Sequence, residues 1–365
     1  MIKKSIFSML AVFSCLVCTF AQQSILVLNS TTDKVLQLNA TDGSVLNGSY
    51  IDTSSLSPGT IKGITQVENK VWISDQIADA IYIYSLAGIY ENTLSGGLDN
   101  IRGLNLVNNE VWVTNAGSSN GATANSLVRF SKTGTNRGVY STITSPFDVL
   151  DLGDGSALVS SFSNSGITKI SYDGTTSSPF VAAGVLSNPE QMNFNAAGNI
   201  ITAVFGTLGA NAPGVYEFSP TGTLINKWPV TSGSVRGVIA AGNGNYLVST
   251  SSGIYSLDPA TGVSTLIELG NFQFFTKIDT NLAVTESSAM SVQFYPNPIK
   301  DYLNISSKNN LEVITVYSAS GQMLLQNKVN GKSTLIDLSK LSPGIYMVKI
   351  QDESLKTKTV KVIKN

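Results

Sequence analysis

The sequence predicts an all-β protein, a six-bladed β-propeller followed by a small Ig-like C-terminal β-sandwich. Three observations predict it. Strand formers alternate with Gly, Ser, Thr and Asn turn formers along the chain. A strand–loop–strand–Gly unit recurs with a period of about 45 residues. The last stretch then changes to longer alternating runs punctuated by Ser-Gly and Pro-Gly turns.

The repeat is visible in ILVLNSTTDKVLQLNATDG, VWISDQIADAIYIYSLAG, VWVTNAGSSNGATANSLVRFSKTG, ALVSSFSNSGITKISYDG, IITAVFGTLGANAPGVYEFSPTG and YLVSTSSGIYSLDPATG. Each ends in a turn glycine: Gly43, Gly88, Gly134, Gly174, Gly222 and Gly262. Such hairpin turns need a residue of positive φ, which Gly supplies without a Cβ penalty. Before every segment but the first stands another strand, as in IKGITQVENK, IRGLNLVNNE, PFDVLDLGDGS, PEQMNFNAAGN and VRGVIAAGNGN. An outer strand such as YENTLSG follows. Four antiparallel strands per unit is the propeller blade.

The first segment lacks its inner strand, and FQFFTKID, Phe272 to Asp279, stands spare at the far end. A closure blade shared between the two ends brings the number to six and leaves no open sheet edge. Five or seven blades with one unit miscounted is the alternative. Blade sequences such as IRGLNLVNNEVWVTN resemble NHL-type and related six-bladed propellers, the streptogramin-lyase and gluconolactonase-like groups, over roughly residues 24 to 284. The resemblance implies the fold; one fold hosts many chemistries.

The start of the chain reads as an export signal. Lys3 and Lys4 precede an apolar stretch from Ile6 to Val17, too short to span a bilayer, and Thr19-Phe20-Ala21 places small residues for cleavage after Ala21. A membrane anchor is the competing reading; a lipoprotein reading fits poorly at Cys18, which Val17 precedes, and better at Cys15 after Ser14, where it would truncate the apolar stretch. The expected organisation is signal peptide 1–21, propeller 22–284, linker 285–290 and C-terminal domain 291–365. Both cysteines, Cys15 and Cys18, fall inside the signal, so the expected mature protein has no disulfide.

Histidine is absent from the whole chain. That removes Ser-His triads and most zinc, copper and iron sites, so no cofactor and no metal are expected. Charged residues make up 13% and the net charge is -1, which argues against a nucleic-acid partner or an electrostatic membrane binder.

The final stretch contains SVQFYPNPIKDYLNIS, ITVYSASGQMLLQ, IDLSKLSPGIYMVKI and KTVKVIKN. Pro296 and Pro298 are expected to open a strand from a rigid extended segment, and Ser320-Gly321 and Pro343-Gly344 to make turns. These residues resemble the type IX (Por) secretion C-terminal sorting domain. The matching positions are Tyr295-Pro296-Asn297-Pro298, Tyr317 with Gly321, Leu341-Ser342-Pro343-Gly344-Ile345-Tyr346 and the basic ending. The resemblance implies the type IX machinery as partner, export through the periplasm to the surface or medium, and removal of the tail.

Candidate chemistry is sparse. Asp151-Leu152-Gly153-Asp154-Gly155 has calcium-loop spacing, but other units carry plain turns at the same place, so a hairpin is the preferred reading. Trp72 and Trp112 occupy equivalent positions and are expected in the core. In a propeller, the starts of the inner strands and the ends of the second strands open on one face. The starts contribute Lys62, Arg102, Asp148, Glu190-Gln191 and Arg236, with Phe274-Phe275 in the closure blade, and the ends contribute Asp75 and Asn115. Clustered cations there suit an anionic glycan, peptide or small molecule. Arg102 pairing with Asp148 to plug the channel is the bland alternative. A metal-dependent lactonase, lyase or esterase using Asp148, Glu190, Asp75 and Asn115 is a further alternative, as is a structural scaffold.

Overall fold

The structure, a computed structural model, describes residues 22–163, 165–280, 292–318, 322–353 and 357–365. The expected signal peptide, the linker at 285–290 and the Ser320-Gly321 turn lie outside the described residues. The protein is all-β; the short 3-10 turn Ser54–Leu56 is the one helical element among the described residues. Within those residues no helix is long and apolar enough to cross a membrane. The chain divides into two compact units at Thr280.

Six four-stranded antiparallel sheets build the first unit. In the first sheet the innermost strand is Phe272–Thr280, which pairs with Gln22–Asn29; Lys34–Asn39 and Val45–Asp52 follow outward. Sheets two to six have the innermost strands Ile61–Val67, Ile101–Val107, Pro146–Asp151, Pro189–Phe194 and Val235–Ala240, each followed outward by its next three strands. All six turn glycines adopt positive φ, from 72° at Gly174 to 89° at Gly134. At Gly222 a Cβ would also lie 2.2 Å from the Phe180 carbonyl oxygen, so both backbone and space demand glycine.

Each sheet packs against the next in a cycle that includes the sixth against the first. Leu26 and Leu28 join Ile61, Ile64 and Ile73 of sheet two, whereas Ile25 and Val27 join Ile239, Leu247 and Ile254 of sheet six. The run Ile25-Leu26-Val27-Leu28 is continuous rather than alternating because both faces of its sheet are covered. Trp72 lies between sheets two and three, and Trp112 between sheets three and four, edge-on to Tyr140 at 5.5 Å. Burying such a side chain stabilises by about 3 kcal/mol. Outer strands such as Tyr90–Ser95 are largely exposed and tolerate polar residues. The arrangement is propeller-like.

The second unit is one five-stranded sheet. Its long strand Tyr302–Ser318 pairs with Val292–Tyr295, Met323–Asp337 and Gly344–Asp352, and Thr357–Lys364 completes it. Leu303, Ile305, Ile314, Val316, Val348, Ile350 and Val362 form its core. Pro296 and Pro298 follow the strand Val292–Tyr295 rather than open one. The paired residue there is Asn297: its Oδ1 accepts from the Ile363 N–H at 2.8 Å and its Nδ2 donates to the Lys361 carbonyl at 3.0 Å. Pro343-Gly344 leads into the strand Gly344–Asp352, and the Tyr346 hydroxyl donates back to the Ser342 carbonyl at 2.6 Å.

Candidate functional site

The innermost strands share an irregularity. Near its start, each slips register against the second strand of its sheet. The slip is a bulge, which re-aims side chains and leaves backbone groups without ladder partners. Just after the first residue, each strand places one side chain at the same level: Lys62, Arg102, Phe147, Glu190, Arg236 and Gln273.

At this level the Lys62 Nζ lies 2.8 Å from Glu190 Oε2 and donates to Gln273 Oε1 at 2.8 Å. It also sits 4.8 Å from the Phe147 ring centroid and 5.3 Å from that of Phe274. Burial pushes the Lys62 amine down to about 8, against the upward pull of Glu190. Glu190 is pushed up by burial, with Lys62 opposing. Arg102 donates from Nη1 to the Ser145 hydroxyl at 2.8 Å and stacks 4.7 Å over Phe147. Burial lowers it to about 10. Arg236 faces the Phe205 ring at 5.6 Å and makes no hydrogen bond or ion pair with a described residue. The buried Nε atoms of Arg102 and Arg236 are both without partners among the described residues.

The next level inward holds Gly63, Gly103, Asp148, Gln191, Gly237 and Phe274. A Cβ at Gly103 would lie 2.3 Å from Asp148 Oδ1 and 2.8 Å from the Phe147 carbonyl oxygen. Asp148 fills the space that Gly103 leaves, and Gln191 part of that at Gly237. Asp148 Oδ2 accepts from the Met192 N–H at 2.8 Å. Gln191 Oε1 accepts from the N–H groups of Val238 at 3.2 Å and Phe275 at 3.0 Å, and its Nε2 donates to the Phe275 carbonyl at 2.6 Å. Burial raises the Asp148 carboxyl to about 7.

Arg102 therefore does not pair with Asp148. Counted from the start of its strand, Phe147 stands at the Arg102 level and Asp148 one residue further in; the ion pair is Lys62 with Glu190. Asp75 and Asn115 serve the loops. Asp75 accepts from the N–H groups of Gly59, Thr60, Ile77 and Ala78 at 2.8 to 3.1 Å, and Asn115 holds Asp99, Gly117 and Thr123 through their backbone atoms. Asp151 and Asp154 diverge, to the Tyr172 hydroxyl and to Lys169 at 2.8 Å, so their segment is a hairpin. Among the described residues no group of three or more His, Cys, Asp or Glu side chains converges as a metal site would require.

Sequence reasoning missed Phe147 and Gln273 at the charged level. It also missed a set of hydroxyls linking neighbouring sheets. Ser74, Thr114, Ser160 and Ser249 donate to the carbonyls of Arg102, Phe147, Glu190 and Gln273 respectively, the last at 2.5 Å. The available signal was the repeated pair Lys62-Gly63, Arg102-Gly103 and Arg236-Gly237, a long cation beside a residue with no Cβ.

Residues 293–365 match the family described as Secretion system C-terminal sorting domain, and the chain carries this type IX sorting tail. The tail implies interaction with the type IX secretion machinery and export to the cell surface or extracellular space. No match was found among curated proteins. Among solved structures, a chain of a nidogen/laminin complex is 15% identical with a TM-score of 0.57, over 70% of this chain and 98% of that one. A protein of unknown function from Bacteroides caccae is 12% identical with a TM-score of 0.51, over 70% of this chain and 99% of that one. At such identities the likeness concerns the fold alone.

Proposed function

We propose that this type IX-sorted chain carries a six-bladed β-propeller out of the cell, where it works as a non-enzymatic binding protein. Its ligand is a glycan, peptide or other surface molecule with an anionic group, held at the cationic end of the channel. Residues 1–21 are its signal peptide, 22–284 the propeller, 285–290 the linker and 291–365 the sorting domain. The six sheets and their cyclic packing support six blades.

The observation that carries the binding reading is a charge imbalance. Lys62, Arg102 and Arg236 gather around one carboxylate, Glu190, and Lys62 engages it. Arg236 is left without a bonded partner among the described residues. Guanidinium groups backed by phenyl rings and short of acceptors suit a carboxylate, sulfate or phosphate.

The test is binding of polysialic acid, heparan sulfate, polygalacturonate and peptides with free carboxyl termini to the full chain and to Arg102→Ala/Arg236→Ala. Saturable binding of at least one, weakened about tenfold or more by the double substitution, is the expected result. No binding, or binding indifferent to the substitution, removes this site.

A further inference from the structure

We infer that the other end of the channel is a second binding site, separate from the cationic one, for an uncharged saccharide. Beyond the Asp148–Gln191 level the channel opens into a cavity of about 540 Å³. That volume lies within the range of roughly 300 to 1,000 Å³ typical of small-molecule sites. Lys62, Arg102, Glu190 and Arg236 do not line it.

Its wall is built for a neutral polar ligand. Thr65, Asn105, Asn193 and Thr276 reach it from four different sheets, interleaved with apolar side chains such as Met192 and Ile239. Asn105 is occupied: its Nδ2 donates to the Val149 carbonyl and its Oδ1 accepts from Leu106 N–H and the Thr65 hydroxyl. Asn193 is half used. Its Nδ2 donates to the Val238 carbonyl at 2.8 Å, and its Oδ1 has no partner among the described residues. The Thr276 hydroxyl makes one long bond, to the Lys277 carbonyl at 3.3 Å. A ligand thus meets an open acceptor, a hydroxyl able to donate or accept, and apolar wall between them.

Phe194 lines the same cavity and is 37% exposed, whereas Pro189 and Met192 of its strand are buried. A sugar ring matches this combination, with hydroxyls around its edge and C–H groups on its faces. An anion does not, because three carboxyl groups, Asp148, Glu68 and Asp279, line the cavity against one cation, Lys277. The inference stands on the cavity and is independent of the cationic end.

Titration of the full chain with glucose, galactose, mannose, N-acetylglucosamine, maltose and cellobiose, read by saturation-transfer NMR and calorimetry, tests it. Thr276→Tyr fills the cavity, Phe194→Ala removes the exposed ring, and Arg102→Ala/Arg236→Ala reports on the opposite end. At least one sugar is expected to bind saturably, about tenfold more weakly to each cavity variant and equally to the arginine variant. Absence of binding below ~10 mM overturns the inference, as does binding that survives both cavity variants or is lost only in the arginine variant. Melting curves accompany each variant; if Thr276→Tyr does not fold, Phe194→Ala, at an exposed position, decides.

Discussion

The Gln191 side chain is bonded to the backbone of Phe275 as a neighbouring strand would be. It donates to the Phe275 carbonyl at 2.6 Å and accepts from the Phe275 N–H at 3.0 Å, and it also accepts from Val238 N–H. One amide thus satisfies backbone groups on the innermost strands of two other sheets, edges that have no further strand to pair with. Gln191→Leu removes all three bonds inside the protein. It is expected to cost about 3 kcal/mol or more in denaturant unfolding, because buried polar groups without partners pay their full desolvation cost.

Asp148 gives a pH signature. Its folded pKa is raised from 3.8 to about 7, chiefly by burial, so the folded protein holds this proton more tightly than the unfolded chain. The resulting stabilisation is fully present below about pH 4 and is lost as pH rises through about 7. Asp148→Asn keeps a neutral acceptor for Met192 N–H. The melting temperature of the variant is expected to gain on wild type between pH 4 and 7, by an amount worth a few kcal/mol at most. A constant difference across that window would contradict the assignment.

Lys62 and Glu190 form a buried ion pair at 2.8 Å with both side chains 2% exposed. Glu190→Leu alone leaves a buried ammonium and is expected to cost about 3 to 5 kcal/mol. Lys62→Met/Glu190→Leu is expected to recover most of that loss, since the desolvation cost of both charges disappears together. Urea unfolding of the two single variants and the double measures the coupling.

Gly103 tests the packing of the inner strands. Its φ is ordinary, so an alanine suffers no backbone penalty; the Cβ instead strikes Asp148 and the Phe147 carbonyl oxygen. Gly103→Ala is expected to destabilise by about 1 to 3 kcal/mol, the usual cost of overpacking. Alanine at Gly96, where a Cβ meets nothing within 4 Å but φ is 85°, separates backbone strain from packing.

Deletion of residues 293–365 tests the sorting tail. Cell fractionation with an antibody to the first unit is expected to find the truncated protein inside the cell envelope and none at the surface or in the medium.

Much of the architecture is local, and local signals survive in sequence. Gly43, Gly88, Gly134, Gly174, Gly222 and Gly262 mark hairpins because a positive φ is a property of one residue. Runs such as Ile25 to Leu28 mark strands covered on both faces. The sorting tail was legible for a similar reason, a set of short motifs in fixed order over 293–365. The candidate site was legible only in outline. Lys62, Arg102, Glu190 and Arg236 stand at one level, but the sequence reading of the strand starts put Asp148 there in place of Phe147. The first hairpin is one residue longer in the Asp148 sheet, where Val149 pairs with Val159, than in the Arg102 sheet, where Leu104 pairs with Val113, so counting back from the second strand shifts the level by one.

The sequence by itself determined that this chain is all-β, repetitive, free of histidine and fitted with a type IX sorting tail. The tertiary structure decided the partners. Lys62 meets Glu190 across 128 residues and Gln191 meets Phe275 across 84, separations over which side-chain pairing is set by the cyclic packing of sheets and not by neighbouring residues. It also decided where charge is left over and where the channel stays open. Both depend on which side chains converge in a buried space of low dielectric.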